Sequence, residues 1–174
     1  MYGMESAIVS GNEALVAIFE HHKWSNLAMI DFCAPLADEQ LSLTVPGTRG
    51  GVRDTMQHIT GNEASYLSFF SGSGIRQEIL PGSGFVGWTA LRDLAARTSD
   101  ALIRLSAAVK GDPIERGERM GEPYAVPTSV FLAQAINHAT EHRSHIRTIL
   151  SSHGITPPEI DGWAWLETLS DPST

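Results

Sequence analysis

Apolar positions recur every three or four residues along four stretches of the chain, a spacing that predicts amphipathic helices. The first runs from Asn12 to about Leu36, with Leu15, Phe19, Leu27, Ile30 and Cys33/Ala34 on one side and Pro35 closing it. The second runs from about Val52 to Phe70 through Val52, Met56, Ile59, Glu63, Tyr66, Leu67 and Phe70. Ser71-Gly-Ser-Gly74, the strongest breaker cluster in the chain, ends it. The third, Trp88 to Val109, carries Leu91, Leu94, Ala95, Thr98, Leu102, Leu105 and Val109 on one face and stops at Lys110-Gly-Asp-Pro113. The fourth, Ser129 to Leu150, follows the helix-start signal Pro127-Thr128-Ser129 and meets no Gly or Pro before Gly154. Leu132, Ala135, Ala139, Ile146 and Ile149 mark the face that it should bury.

The connections are long, roughly 14 to 18 residues each, and a short extended pair is expected around Ile114 and Tyr124. No stretch reads as a central strand. The pattern predicts an all-α four-helix bundle with long interhelical loops, residues 1–174 forming one domain. Short loops would force neighbouring helices antiparallel, whereas these lengths also permit a parallel crossover, so helix order and handedness stay open. After the fourth helix comes a tail with a short helical turn through Leu169. Its Trp163 and Trp165 are large enough to predict that it folds back and packs on the bundle.

Composition narrows the functional classes. A hydrophobic fraction of 42% with 18% charged residues describes a soluble globular protein rather than a disordered one. With a net charge of −8 and no Lys/Arg cluster, a surface that tracks phosphates, and so a nucleic-acid partner, is not expected. The apolar runs are too short and too charged to span a bilayer, and Met1 to Glu20 lacks the features of a signal peptide. A single cysteine, Cys33, excludes an internal disulfide and a Cys-rich zinc module. These features predict a cytoplasmic protein with no membrane partner.

Histidine placement changes the picture most. His142 falls on the apolar stripe of the fourth helix, with His138 four residues before it and His145 three after. Residues so spaced stack on one helix face, about 5–6 Å apart. His-x-x-x-His is a natural bidentate metal clip, and a third ligand from another helix would leave a coordination position open for water or substrate. His58, on the second helix, is the best internal candidate, although a lone His in such a place is more often a satisfied core residue. Three neutral imidazoles without a carboxylate leave a divalent ion its full charge, which favours acidifying a water or a thiol.

Neighbouring polar residues divide by angle. Asn62, four residues after His58, should face the same pocket. Glu63, five residues after, lies about 140° round the helix and should make a helix-to-helix or loop contact instead. Asn26 and His22 sit near the stripe of the first helix and are candidates for pointing into the bundle. Asn26 points either into the pocket or into the core as a bonded amide, and His21 and His22 otherwise read as a solvated or partly buried pair. Cys33 reads as a small core residue, Asp93 and Asp100 as outward-facing charges. Arg49, Arg53 and Arg143 are candidate rim cations, otherwise ordinary solvated charges.

Gln57-His-Ile-Thr-Gly-Asn-Glu63 resembles the second-helix signature His-Ile/Val-x-Gly-x-Glu of the DinB/YfiT-like superfamily. Asn137-His-Ala-Thr-Glu-His-Arg-Ser-His145 is similar to its fourth-helix pattern Asn-His-x-x-x-His-Arg-Gly-Gln. Lys23-Trp-Ser-Asn26 resembles the first-helix Trp-x-Asn element, and Pro157-Pro-Glu-Ile-Asp-Gly-Trp163 a common tail. The matches span almost the whole chain in the right order. The resemblance implies a four-helix bundle, commonly a homodimer, with zinc or nickel held by His58, His138 and His142. Activities in the family include thiol-dependent transferases and isomerases in which the metal activates the thiol of a low-molecular-weight cofactor. Ser144 replaces the pattern's Gly, and His145 stands where it often has Gln. His145 reads as a fourth ligand, a proton-transferring acid/base, a support for a ligand, or a partly exposed His near the pocket. Two function classes follow: a metal-dependent hydrolase or thiol-dependent transferase, with His145, Asn26 and Asn62 as its polar groups, or a non-catalytic metal-binding or stress-response protein with a structural metal.

Overall fold

A computed structural model describes residues 12–70, 72–80, 82–119 and 121–170. Helices α1 (Glu13–Cys33), α3 (Val52–Leu67), α4 (Trp88–Ala108) and α5 (Thr128–Ser152) form the bundle. Two short helices, α2 (Asp38–Leu41) and α6 (Gly162–Ser170), and a hairpin of β1 (Ile114–Arg119) and β2 (Glu122–Pro127) complete the elements. The hairpin strands pair antiparallel, with Gly117 opposite Tyr124, where the extended pair was expected. Apart from this ribbon the described residues are all-α.

Helix α1 packs chiefly on α4, and α3 packs on both α5 and α4. Two apolar clusters show which way each helix runs. Phe19, Leu67, Leu102 and Leu132 belong to one cluster, while Ile30, Met56, Leu91 and Ile146 belong to the other. Helices α1 and α5 therefore run in one direction and α3 and α4 in the other. The parallel crossover that loop length left open lies between α3 and α4. The connection from α3 to α4 must return along the bundle, and on the way Ile79 passes over α3. Gly61 permits this approach: a Cβ there would stand 3.3 Å from Cβ of Ile79. Gln57 pins the same segment, its Nε2 donating to the Gly84 carbonyl (3.1 Å) and its Oε1 accepting from the Val86 N–H (2.9 Å).

The buried face of α5 is the expected one: Leu132, Ala135, Ala139, Ile146 and Ile149 are all buried. Its start is capped from a distance, because Asp112 accepts from the N–H (2.9 Å) and hydroxyl (2.8 Å) of Ser129. The stripe of α1 is turned from the expected one. Leu15 and Leu27 are only half-buried, whereas His22, Ser25, Asn26 and Met29 join Phe19, Ile30 and Cys33 inside. Hydrophobicity alone aimed the helix at its leucines, but polar partners on α3 and α5 take up His22 and Asn26.

The tail folds back as expected. Ile160 enters the core cluster, and its carbonyl accepts from Ser25 Oγ at 3.2 Å. Trp165 meets the His21 ring edge-on at 5.5 Å. Trp163, also expected to be covered, is 78% exposed. Residues two apart on a helix point about 200° away from each other, so α6 can turn only one tryptophan to the bundle. Among the described residues, no helix is long and apolar enough to cross a membrane.

Candidate metal centre

The two apolar clusters are separated by a polar layer centred on Glu63, which is fully buried. Its Oε1 accepts from Asn26 Nδ2 at 2.8 Å and lies 2.8 Å from His22 Nε2, while Oε2 accepts from Thr98 Oγ1 at 3.2 Å. Arg143 donates to Asn26 Oδ1 at 2.5 Å and to Thr140 Oγ1 at 3.1 Å. Burial by itself raises the Glu63 pKa. The charges of His22 and Arg143, with hydrogen bonds from His22 and Asn26, outweigh it and hold the carboxyl below its usual range. Burial lowers Arg143 to about 10, with the Glu63 charge opposing.

This layer takes in three residues, two whose places the sequence left open and one, Arg143, that it read as a solvated charge. His22, a candidate for pointing into the bundle, does so and is the buried partner of a carboxylate rather than one of a solvated pair. Asn26 takes the second of its two expected places, a bonded amide in the core, with side-chain partners at both ends of the amide. Arg143 is a buried guanidinium, not a rim charge. Glu63 makes the helix-to-helix contact that its angle on α3 suggested, reaching α1 and α4 at once.

The expected histidines converge on the other side of α3. Ligand nitrogens of His58, His138 and His142 all lie within 4.8 Å of one another, and these three residues could hold a metal ion. Nε2 of His58 and Nε2 of His138 are 3.0 Å apart, and the ring centroids of the triad are separated by 4.8, 4.9 and 4.4 Å. Helical spacing stacks His138 on His142, and antiparallel packing of α3 on α5 brings His58 to them.

The donor set fits a divalent ion. Tetrahedral ligation at about 2.0–2.1 Å needs donor nitrogens roughly 3.3 Å apart, within reach of small ring adjustments. The imidazoles are held in the neutral form that ligation needs. His58 is pushed down to about 3 by burial first, then by the nearby charges of Arg49, His138 and His142. His142 is lowered to about 4, again chiefly by burial, and His138 shifts the same way for the same leading reason. Nδ1 of His138 is buried without a hydrogen-bond partner among the described residues.

Supporting residues stand behind two of the three rings. Asn62 Nδ2 lies 2.9 Å from His58 Nδ1, the expected four-residue contact. His145 is outside the triad and set against His142, with their Nδ1 atoms 3.3 Å apart. That contact leaves Nε2 of His142 for a ligand. Partners of this kind orient a ligating imidazole and set its tautomer.

His58 also lines a cavity of about 460 Å³, whose walls include Arg49, Asp54, Asn62, Gln77 and Ile79. The crossover segment between α3 and α4 forms one side of it, so the α3 histidine faces both the triad and an accessible space. Of the candidate rim cations only Arg49 is placed here. Arg53 is bound to Asp38 at 2.9 Å and lies 5.5 Å from the ring centre of Phe85. Cys33 is a core residue, its thiol pushed up to about 12 by burial. The cavity lining was not legible in the sequence, because residues 77–83 come from an irregular segment with no periodicity.

No curated protein matches the chain. A family model does: the model of the DinB family matches residues 9–170. With that coverage, and with the histidine cluster and helical bundle in place, the chain belongs to the DinB family.

Proposed function

We propose that the protein is a metal-dependent enzyme that acts on a small molecule, with zinc or nickel held by His58, His138 and His142. The observation that carries this reading is the convergence of three neutral imidazoles beside a cavity large enough for a metabolite. A divalent ion bound there would supply Lewis acidity and lower the pKa of a water or a thiol. The chain's own groups have separate parts. His138 and His142 come from one helix turn, which sets their relative angle, while His58 closes the set from α3. Asn62 holds the His58 ring, and His145 holds His142 and is the acid/base nearest the triad.

A thiol in the reaction would have to come from a low-molecular-weight cofactor, since the inert Cys33 cannot supply it. Hydrolysis by an activated water and transfer or isomerisation of a cofactor thiol are both within this chemistry. The rival reading, a non-catalytic protein with a structural metal, needs a fourth protein ligand. The set of His145 against His142 favours the open, catalytic arrangement.

Elemental analysis of untagged protein tests the proposal. The expected result is bound zinc or nickel in the wild type and its loss in His142→Ala, together with loss of turnover in a screen of thiol-transfer and hydrolysis reactions. Full turnover in the His142→Ala protein would overturn it. Sedimentation of the same sample tests the homodimer expected from the family.

A further inference from the structure

We propose that the cavity beside the triad takes a small molecule bearing a carboxylate, and that Arg49 is the residue that receives this group. The inference rests on the metal-dependent reading of the same site and names the class of ligand for it. Arg49 is the only lysine or arginine among the described residues that line the cavity. Its guanidinium is in no ion pair or hydrogen bond among the described residues. Arg53, Arg92, Arg97 and Arg147 each meet a carboxylate at 2.7 to 2.9 Å, whereas the exposed Arg49, with Asp54 the carboxylate whose charge acts on it, is left free to take one from outside. A guanidinium presents a planar fork of donors that matches a carboxylate in shape and charge.

Three further observations agree. Arg49 and His58 line the same cavity, so a molecule held by Arg49 lies beside the triad's α3 histidine. The charge balance there calls for an anion. Among the residues that line the cavity Arg49 and Asp54 sum to zero, so a divalent ion adds two positive charges, of which Glu141, whose charge also reaches His138 and His142, offsets one. That local excess sits in a protein of net charge −8, where anions are otherwise repelled. The remaining walls are mixed: Asn62, Gln77 and Ser83 offer hydrogen bonds, and Ile79 and Leu80 an apolar side. Such a lining suits a short carbon skeleton with polar groups at both ends, a donor towards the histidines and a carboxylate towards Arg49.

The test compares two probes that share a thiol and differ in a carboxylate, 3-mercaptopropionate and 2-mercaptoethanol. Binding to zinc-loaded protein is measured by calorimetry in the wild type, Arg49→Gln and Arg49→Lys, with zinc content determined on each sample. The expected result is a preference of about tenfold or more for 3-mercaptopropionate in the wild type. Arg49→Gln should abolish that preference at unchanged zinc content, and Arg49→Lys should retain part of it. Equal binding of the two probes to the wild type, or an equal preference in Arg49→Gln, would overturn the proposal. The same comparison on zinc-free protein separates the two levels of inference. A carboxylate preference that persists there and vanishes in Arg49→Gln keeps the subsite even if the chain holds no metal.

Discussion

Two polar groups of side chains lie on opposite sides of α3, and they are built on opposite principles. The layer around Glu63 is sealed between two apolar clusters, and each carboxylate oxygen accepts a hydrogen bond from a neighbouring helix. The triad of His58, His138 and His142 meets a cavity through His58, with Nε2 of His58 and Nε2 of His138 facing one another at 3.0 Å. Each group keeps one buried ring nitrogen without a partner among the described residues, Nδ1 of His22 in the layer and Nδ1 of His138 in the triad. A buried charge survives only when its partners are complete, so the first group is a fixed part of the scaffold. Imidazoles held neutral beside a cavity have unused donor capacity, so the second group has room for a ligand. Adjacent residues serve the two: Asn62 supports His58 while Glu63 joins the layer, and His142 belongs to the triad while Arg143 joins the layer.

The largest effect that would test this division is Glu63→Ala. Removing the carboxylate strands His22, Asn26 and Arg143 in the core and should cost about 3–5 kcal/mol of stability in urea unfolding. Metal bound per folded molecule should stay the same. A variant that stayed as stable as the wild type but lost its metal would erase the distinction between the two regions.

His142→Ala should do the reverse. Metal affinity in a competition assay should fall by more than the roughly 10–100-fold typical of losing a supporting partner. The melting temperature of the zinc-free protein should hardly move, since no buried charge is left behind.

Acid should separate the regions by pH window. His58 and His142 have folded pKa values of about 3 and 4, below the ordinary 6.5, so the unfolded chain takes up their protons first. Their contribution to the stability of the zinc-free protein is therefore complete above about pH 6.5 and is lost as pH falls towards 3 to 4. Glu63 is also depressed, from an ordinary 4.5, and its contribution is lost only below that value. Thermal melts of zinc-free protein should fall between pH 6.5 and 5, and His58→Ala should flatten this upper limb. An unchanged limb in that variant would show that other groups carry it.

The smallest effect is expected at His145. Replacement by Gln, the residue often found in the family pattern, keeps a hydrogen-bonding group next to His142 and should change zinc affinity by less than tenfold, with Ala costing about tenfold or more. A loss as large as that of His142→Ala would make His145 a ligand and the site closed.

The four helices and the buried stripe of α5 were legible because burial repeats with the helical period, which a single sequence displays. Glu63 could be assigned to a helix contact from its angle relative to His58 alone. The partner of His22 and the burial of Arg143 could not, because the groups that offset the cost lie 41 and 117 residues away, Glu63 for one and Asn26 for the other. Trp163 shows the converse. Its size argued for burial, and only the helical path of α6 decided that Trp165 would take the inner side.

By itself, then, the sequence determined the helices, the His138–His142 pair and the family motifs, all of which depend on residues close together in the chain. Tertiary structure decided the parallel run of α3 and α4, the cavity wall made by the returning segment, and the place of Arg49 on it. It also set His145 against His142 rather than in the triad. These depend on how helices pack and on where irregular segments cross them, and neither leaves a period in the sequence.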